Sequence, residues 1–404
     1  MTVKPPIPLS DLRGYGRLAV DATIGVTDLV EAVHANILRF PGLGAHATGR
    51  TRGITGLVYH NIRGTTRLVG VSIDALLALL DAAFEPASSS AEREALLAAV
   101  NGVLGDHLAA STNPLAIPMR LRRDGQPLDL TLPALAAALP QPTGKILVLA
   151  HGLCMNDLQW RRKEHDHGAA LAADAGFTSL YLHYNSGLHI STNGRAFAAQ
   201  LEALLQAWPA PVDELTIIGH SMGGLLARGA YHYGQVAGHA WPRHLRKIVF
   251  LGTPHHGAPF ERGGNWVTVG LGVSRYTAAF ARLGKIRSAG ITDLRYGSLL
   301  DEDWEDRDRF AHARDMRRAV PLPDGVQCYA IGAAIATGES VPNAPLLGDG
   351  LVPLRSALGQ HPDPARNLSF PESQQWIGYG MSHWDLLDRR EVYEQIRHWL
   401  AGPS

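Results

Sequence analysis

Residues 215–228 read LTIIGHSMGGLLAR, and Ser221 sits there inside Gly219-His220-Ser221-Met222-Gly223, a G-x-S-x-G pattern. A serine hydroxyl is a weak nucleophile at neutral pH. It needs a base within hydrogen-bond reach, and the base needs an acid to orient it. An apolar run precedes Ser221 and a helical pattern, GLLARGAYHY, follows it. That is the strand-turn-helix context in which such a serine is held on a strained elbow. The flanking glycines are expected because larger side chains at 219 or 223 would collide with the neighbouring strand and helix.

Acyl transfer at a serine also needs backbone donors aimed at the developing oxyanion. One is expected from the Met222 amide, at the start of the helix. The second is expected from the loop after an earlier strand, LVLAHGLCMND, where Gly152 turns the chain back and the Leu153 amide becomes the donor. His151 is read as a fastener of that loop. The acid and base should follow in the order Ser, Asp, His. Asp349 lies between Gly348 and Gly350 in LLGDGLVPLRSA, shortly after an apolar run, and His383 lies in GYGMSHWDLL, just before the last helical pattern. His255 and His256 in GTPHHGAP are rivals for the base, but they precede the acid. In KEHDHG, at 163–168, His165 and His167 are two apart and do not share a helix face, so a solvated helix is expected there and no metal site. The reaction so assembled calls for no metal or organic cofactor.

The elements that must position these residues can be read from texture. KILVLA, SLYLHY, ELTIIG, KIVFLG and GVQCYAIGA are five apolar runs, alternating with helical patterns such as GRAFAAQLEALLQAW and the closing LLDRREVYEQIRHWLAG. Strands alternating with helices predict a mostly parallel sheet covered on both faces. Residues 1–140 read as helices: Leu29, Val30, Val33 and Ile37 recur at helical spacing, as do Ile54, Leu57, Val58 and Ile62. The strand rhythm stops between 259 and 323, and an insertion of that length is read as a lid or cap. The organisation expected is therefore a helical region at 1–140, a catalytic domain at 141–402 and a lid within it at 259–323.

Composition narrows the classes. Of 404 residues, 46% are hydrophobic and 18% charged, which is globular and not disordered. Lys plus Arg balance Asp plus Glu at 37 each, so no basic excess points to nucleic acid. Cys154 and Cys328 form neither a metal-spaced pair nor a disulfide framework and are expected as free buried thiols. No secretory signal or membrane-length apolar run is visible, so the cytoplasm is the expected location.

The motifs HGL, GHSMGG, GTPHHGAP, DGLVP and SHWDLL, in that order with strands between them, resemble the α/β-hydrolase superfamily of esterases and lipases. Within it, and with YLHYNSGLHISTNGR, the chain is similar to bacterial esterases related to the PGAP1-like group, whose eukaryotic relatives deacylate glycosylphosphatidylinositol. The resemblance covers about residues 143–402. It implies an α/β-hydrolase fold and the triad Ser221, Asp349 and His383. The expected activity is hydrolysis of apolar acyl or aryl esters, lipids or polyesters included. A thioesterase, amidase or acyltransferase would use the same triad, and a catalytically dead lipid-binding or scaffold protein is the reading from another class. The helical first third has three candidate roles: packing on the core to wall off an acyl pocket, contact with a lipid surface or polymer granule, and dimerisation. Packing is the simplest of these.

Overall fold

The computed structural model of the chain describes residues 8–37, 51, 53–83, 90–258, 288–307, 315–337 and 348–401. The chain divides into two compact units, residues 1–89 with 108–116, and residues 90–107 with 117–404.

In the first unit two long helices, α1 (Leu9–Ile37) and α2 (Gly53–Ala83), pair with each other. Arg13 and Arg17 of α1 converge on Asp74 of α2, with Arg17 Nη2 2.7 Å from its carboxylate. Arg63 of α2 reaches back to Asp28 and Glu31. Gly70 lets the helices approach closely, since a Cβ there would lie 2.5 Å from Val20. The helical spacing of Leu29, Val30, Leu57, Val58 and Ile62 is realised, but these side chains are exposed. Ion pairs and close small-residue contacts, more than an apolar seam, are therefore what the pairing displays.

The second unit is built on an eight-stranded sheet: β1 (Arg120–Arg123), β2 (Gln126–Pro127), β3 (Lys145–Ala150), β4 (Thr178–His183), β5 (Glu214–His220), β6 (Leu245–Leu251), β7 (Gln327–Ala334) and β8 (Gln375–Tyr379). Its spatial order is β2-β1-β4-β3-β5-β6-β7-β8. The strands from β4 to β8 are parallel, and β1 is antiparallel to both β2 and β4. Parallel strands covered on both faces read as near-continuous apolar runs, and β3, β5 and β6 do. Their side chains alternate between two cores. Ile146, Val148, Leu215 and Ile217 point to one with Phe197, Trp241 and α7 (Met222–Val236), while Leu147, Leu149 and Ile218 point to the other with Trp160, Ile396 and Trp399. The second core is closed by α5 (His167–Ala175) and the C-terminal helix Arg390–Ala401. This is the α/β-hydrolase arrangement.

The sheet begins ahead of residue 141, with β1 and β2, and the 7-residue α4 (Leu132–Ala138) buries Leu135 in the first core. Within the same unit, residues 91–107 of α3 (Ala91–Ala110) pack on the loop after β3. Of the expected insertion at 259–323, residues 259–287 and 308–314 lie outside the described residues, and the lid reading falls largely on them. The described part carries a short helix, Ala289–Asp293, against the loop that precedes α6 (Ile190–Gln206), with Gly290 N–H donating to the Gly187 carbonyl at 3.0 Å. Cys154 and Cys328 are free and buried, as expected. Among the described residues no helix is long and apolar enough to cross a membrane.

The central strand supplies a test of the packing. Ile217→Ala removes a fully buried side chain from β5 and should lower the unfolding free energy by about 2–5 kcal/mol. Denaturant titration reads this as a lower midpoint with an unchanged slope.

Candidate active site

The chain turns sharply between β5 and α7, and Ser221 is the turn residue. Its backbone lies at φ 54° and ψ −123°, a region a residue with a Cβ seldom occupies. The Ser221 N–H donates to the Leu251 carbonyl at 2.8 Å, which pins the turn to the end of β6. The glycines explain how the turn is reached. A Cβ at Gly219 would lie 2.5 Å from the Gly224 Cα, and one at Gly223 would strike the Ala150 carbonyl oxygen and approach the His151 carbonyl at 2.7 Å. Gly224 is similarly closed by Thr253 and Phe250. The collisions expected from the sequence are thus with the helix backbone and with β3.

Asp349 and His383 are brought together from distant chain positions. His383 Nδ1 is 2.6 Å from Asp349 Oδ2, and the His383 N–H donates to the Asp349 carbonyl at 3.1 Å. The other carboxylate oxygen, Oδ1, accepts from the Leu351 and Val352 amides at 2.9 and 2.8 Å. Gly348 at φ 54° and Gly350 at φ 94° make the turn that presents Asp349. Both side chains are buried. Gly252, at φ 56°, lies under the pair, where a Cβ would be 3.0 Å from His383 Nδ1 and 3.1 Å from Asp349 Oδ2. The serine and the pair share this end of the sheet: the ring of His220, next to Ser221, lies 4.6 Å from the His383 ring, and its Nε2 is 3.2 Å from the His383 carbonyl.

Leu153 and Met222 meet in one apolar cluster with Ile190, Leu225, Leu294 and Leu299. Gly152 brings their backbones close, since a Cβ there would be 3.0 Å from Ser221 Cβ. His151 does fasten the loop: its Nδ1 is 2.8 Å from the Gly152 carbonyl, and its ring stacks on Tyr184 at 4.3 Å while the Tyr184 hydroxyl donates to the His151 carbonyl.

A second fastener was not legible in the sequence. Residues 101–105 of α3 lie directly on this loop. A Cβ at Gly102 would strike the Cys154 thiol, and one at Gly105 would strike the Asn185 side chain. The Cys154 amide in turn donates to Ser186 Oγ at 3.0 Å, and Asn185 Nδ2 donates to the Gly105 carbonyl at 2.9 Å. The available signal was two glycines one helical turn apart in a strong helix pattern.

The rival histidines are engaged elsewhere. His255 Nδ1 is 3.3 Å from Arg228 Nη1, and His256 Nδ1 is 2.7 Å from Arg317 Nη2 while its Nε2 meets the Gly359 carbonyl. The expected solvated helix at 163–168 is corrected for His167. Only α5, from His167, is helical; His167 is fully buried, with Nε2 2.9 Å from the Leu386 carbonyl and Nδ1 2.9 Å from His165 Nε2. Among the described residues, Glu94, Asp157 and His183 place ligand-type atoms within 4.8 Å of one another. Arg122 Nη1 already lies 3.0 and 3.1 Å from the two carboxylates and supplies the positive charge that a metal would.

Burial pushes the imidazoles of His151, His167 and His256 down to about 4. An unfolded histidine titrates near 6.5, so between those values the unfolded chain binds more protons than the folded one. Stability contributed by these neutral rings is fully present above about pH 6.5 and is lost as pH falls toward 4. The unfolding free energy should therefore be flat above pH 7 and drop by at least about 2 kcal/mol by pH 4.5. A flat urea midpoint across that window would show that the rings ionise freely in the fold.

The model of the PGAP1-like alpha/beta domain matches residues 141–320. No match is found among the curated proteins. Among solved structures, the chain is similar to the Bacillus licheniformis lipase BlEst2 in mature form, at 14% identity over 70% of this chain and 98% of that one, TM-score 0.43. It is similar to the Pyrobaculum calidifontis esterase at 14% identity over 70% and 80%, TM-score 0.38. The Pyrococcus furiosus esterase Pf2001 aligns at 11% identity over 64% and 80%, TM-score 0.37. The matched family segment contains Leu153, Ser221 and Met222 and ends before Asp349 and His383. Over residues 141–320 the chain is similar to the PGAP1-like alpha/beta domain.

Proposed function

We propose that the protein is a serine carboxylic-ester hydrolase for apolar acyl or aryl esters. The observation that carries this reading is the strained Ser221 elbow at the same end of the sheet as the buried His383–Asp349 pair. Asp349 holds Nδ1 as the protonated nitrogen, which leaves Nε2 of His383 as the basic atom. Nε2 takes the Ser221 hydroxyl proton as Oγ bonds to the ester carbonyl carbon. The amides of Leu153 and Met222 hold the resulting oxyanion, and the N-terminal end of α7 adds its partial positive charge. The intermediate collapses, the C–O bond to the alcohol breaks, and the imidazolium protonates the leaving oxygen. A water then gives its proton to Nε2, adds to the acyl carbon, and the acid leaves with Ser221 restored. Leu153 and Met222, whose amides are the proposed oxyanion donors, belong to an apolar cluster with Leu225 and Leu299, and the choice of an apolar acyl group rests on that setting. The same acyl-enzyme would serve thioesters or amides, and the leaving group tested decides among them.

A p-nitrophenyl ester ladder from acetate to palmitate is the direct assay. Ser221→Ala should abolish turnover and labelling by a fluorophosphonate probe while leaving the thermal midpoint near wild type. His383→Ala and Asp349→Asn should each lower kcat on the order of a thousand-fold or more. Wild-type turnover in His383→Ala, or Ser221-independent turnover on every rung, would refute the assignment.

A further inference from the structure

The strongest feature outside the proposed triad is a narrow cleft of about 20 Å³ whose lining includes Arg228, His255, His256, Arg317, Arg318 and Arg366. Arg228 projects from α7 two turns beyond Ser221 and is buried. A guanidinium stays charged in a protein, and a buried charge needs an opposite charge or a full set of acceptors. Arg228 has neither among the described residues. Nη2 donates to the Val320 carbonyl, Nη1 lies 3.3 Å from His255 Nδ1, and Nε has no partner.

The neighbouring rings add donors. Because Arg228 can only donate, His255 Nδ1 is the acceptor, and the proton of the neutral ring sits on Nε2. That Nε2 is buried and has no partner among the described residues. By the same logic His256 accepts from Arg317 at Nδ1 and donates from Nε2 to the Gly359 carbonyl. Among the described residues no acidic side chain lines the cleft. Asp315, behind it, is shared by Arg317 at 3.2 Å and Arg366 at 3.3 Å, so it does not neutralise Arg228.

We infer that this cleft binds a small oxyanion of the phosphate class, held by Arg228 with His255 Nε2–H and the guanidiniums at its rim. Guanidinium N–H groups and an imidazole N–H are donors matched to tetrahedral oxygens. The site is separate from the triad, and the inference stands whether or not the chain hydrolyses esters. Its walls join five segments: α7, the loop after β6, residues 297–299, residues 317–320 at the return of the insertion, and residues 366–368. A bound oxyanion would tie that return to the helix that begins at Ser221.

Titration calorimetry with inorganic phosphate at constant ionic strength, chloride making up the balance, tests this. One saturable phosphate per chain is expected, with a rise in thermal midpoint that sodium chloride does not reproduce. Arg228→Gln should weaken binding by about tenfold or more. Arg318→Ala, at an exposed rim position, keeps the assay decisive should Arg228→Gln fail to fold, and it should weaken binding by about threefold. Soluble dihexanoyl phosphatidate separates the sources: competition with phosphate assigns the group to a lipid headgroup, and its failure to compete assigns a free ion. Absence of saturable phosphate binding in wild type, or equal affinity in wild type and the folded variants, overturns the inference.

Discussion

The approach of α7 to the ends of β3 and β5, backbone against backbone, is the constraint on which the rest of the site depends. Gly219, Gly223 and Gly224 have no side chains because no room exists for any. That contact sets the position of the helix end and goes with the strained positive-φ conformation of Ser221. Strain at one residue costs on the order of 1–3 kcal/mol, and the buried parallel strands around it are what hold the turn in place. The same crowding extends to Gly152 and Gly252, so backbone clearances, more than side-chain hydrogen bonds, locate the reactive end of the sheet.

Charge is handled differently at the two poles of this region. Beside Ser221 the ionisable groups are few and each is committed: His383 to Asp349, His151 and His220 to backbone carbonyls. Two turns along α7 the interior instead collects guanidiniums around neutral imidazoles. One helix therefore spans an apolar end beside Ser221 and, two turns on at Arg228, an end rich in side-chain donors.

Much of this was legible in the sequence. The strands β3 to β7 announced themselves as apolar runs because a parallel strand buried on both faces must be apolar at every position. The two glycines around Ser221 and the order Ser221, Asp349, His383 pointed to the candidate site, since loops at the C-terminal edge of such a sheet are where these residues can meet. What was illegible has a physical reason in each case. β1 reads RLRR and buries only Leu121, and the edge strand β8 is half-buried, so neither offered an apolar run. His167 looked solvated because its partner, the Leu386 carbonyl, is 219 residues away. The exposure of Leu29 and Leu57 could not be foreseen, since periodicity states that a helix has an apolar face but not what covers it.

The contact between α3 and the loop bearing Leu153 has a consequence in thiol chemistry. Cys154 lies beneath Gly102, buried, its thiol pushed up to about 12 by desolvation. A thiol in that state is inert to alkylating reagents, because the thiolate is the reacting form.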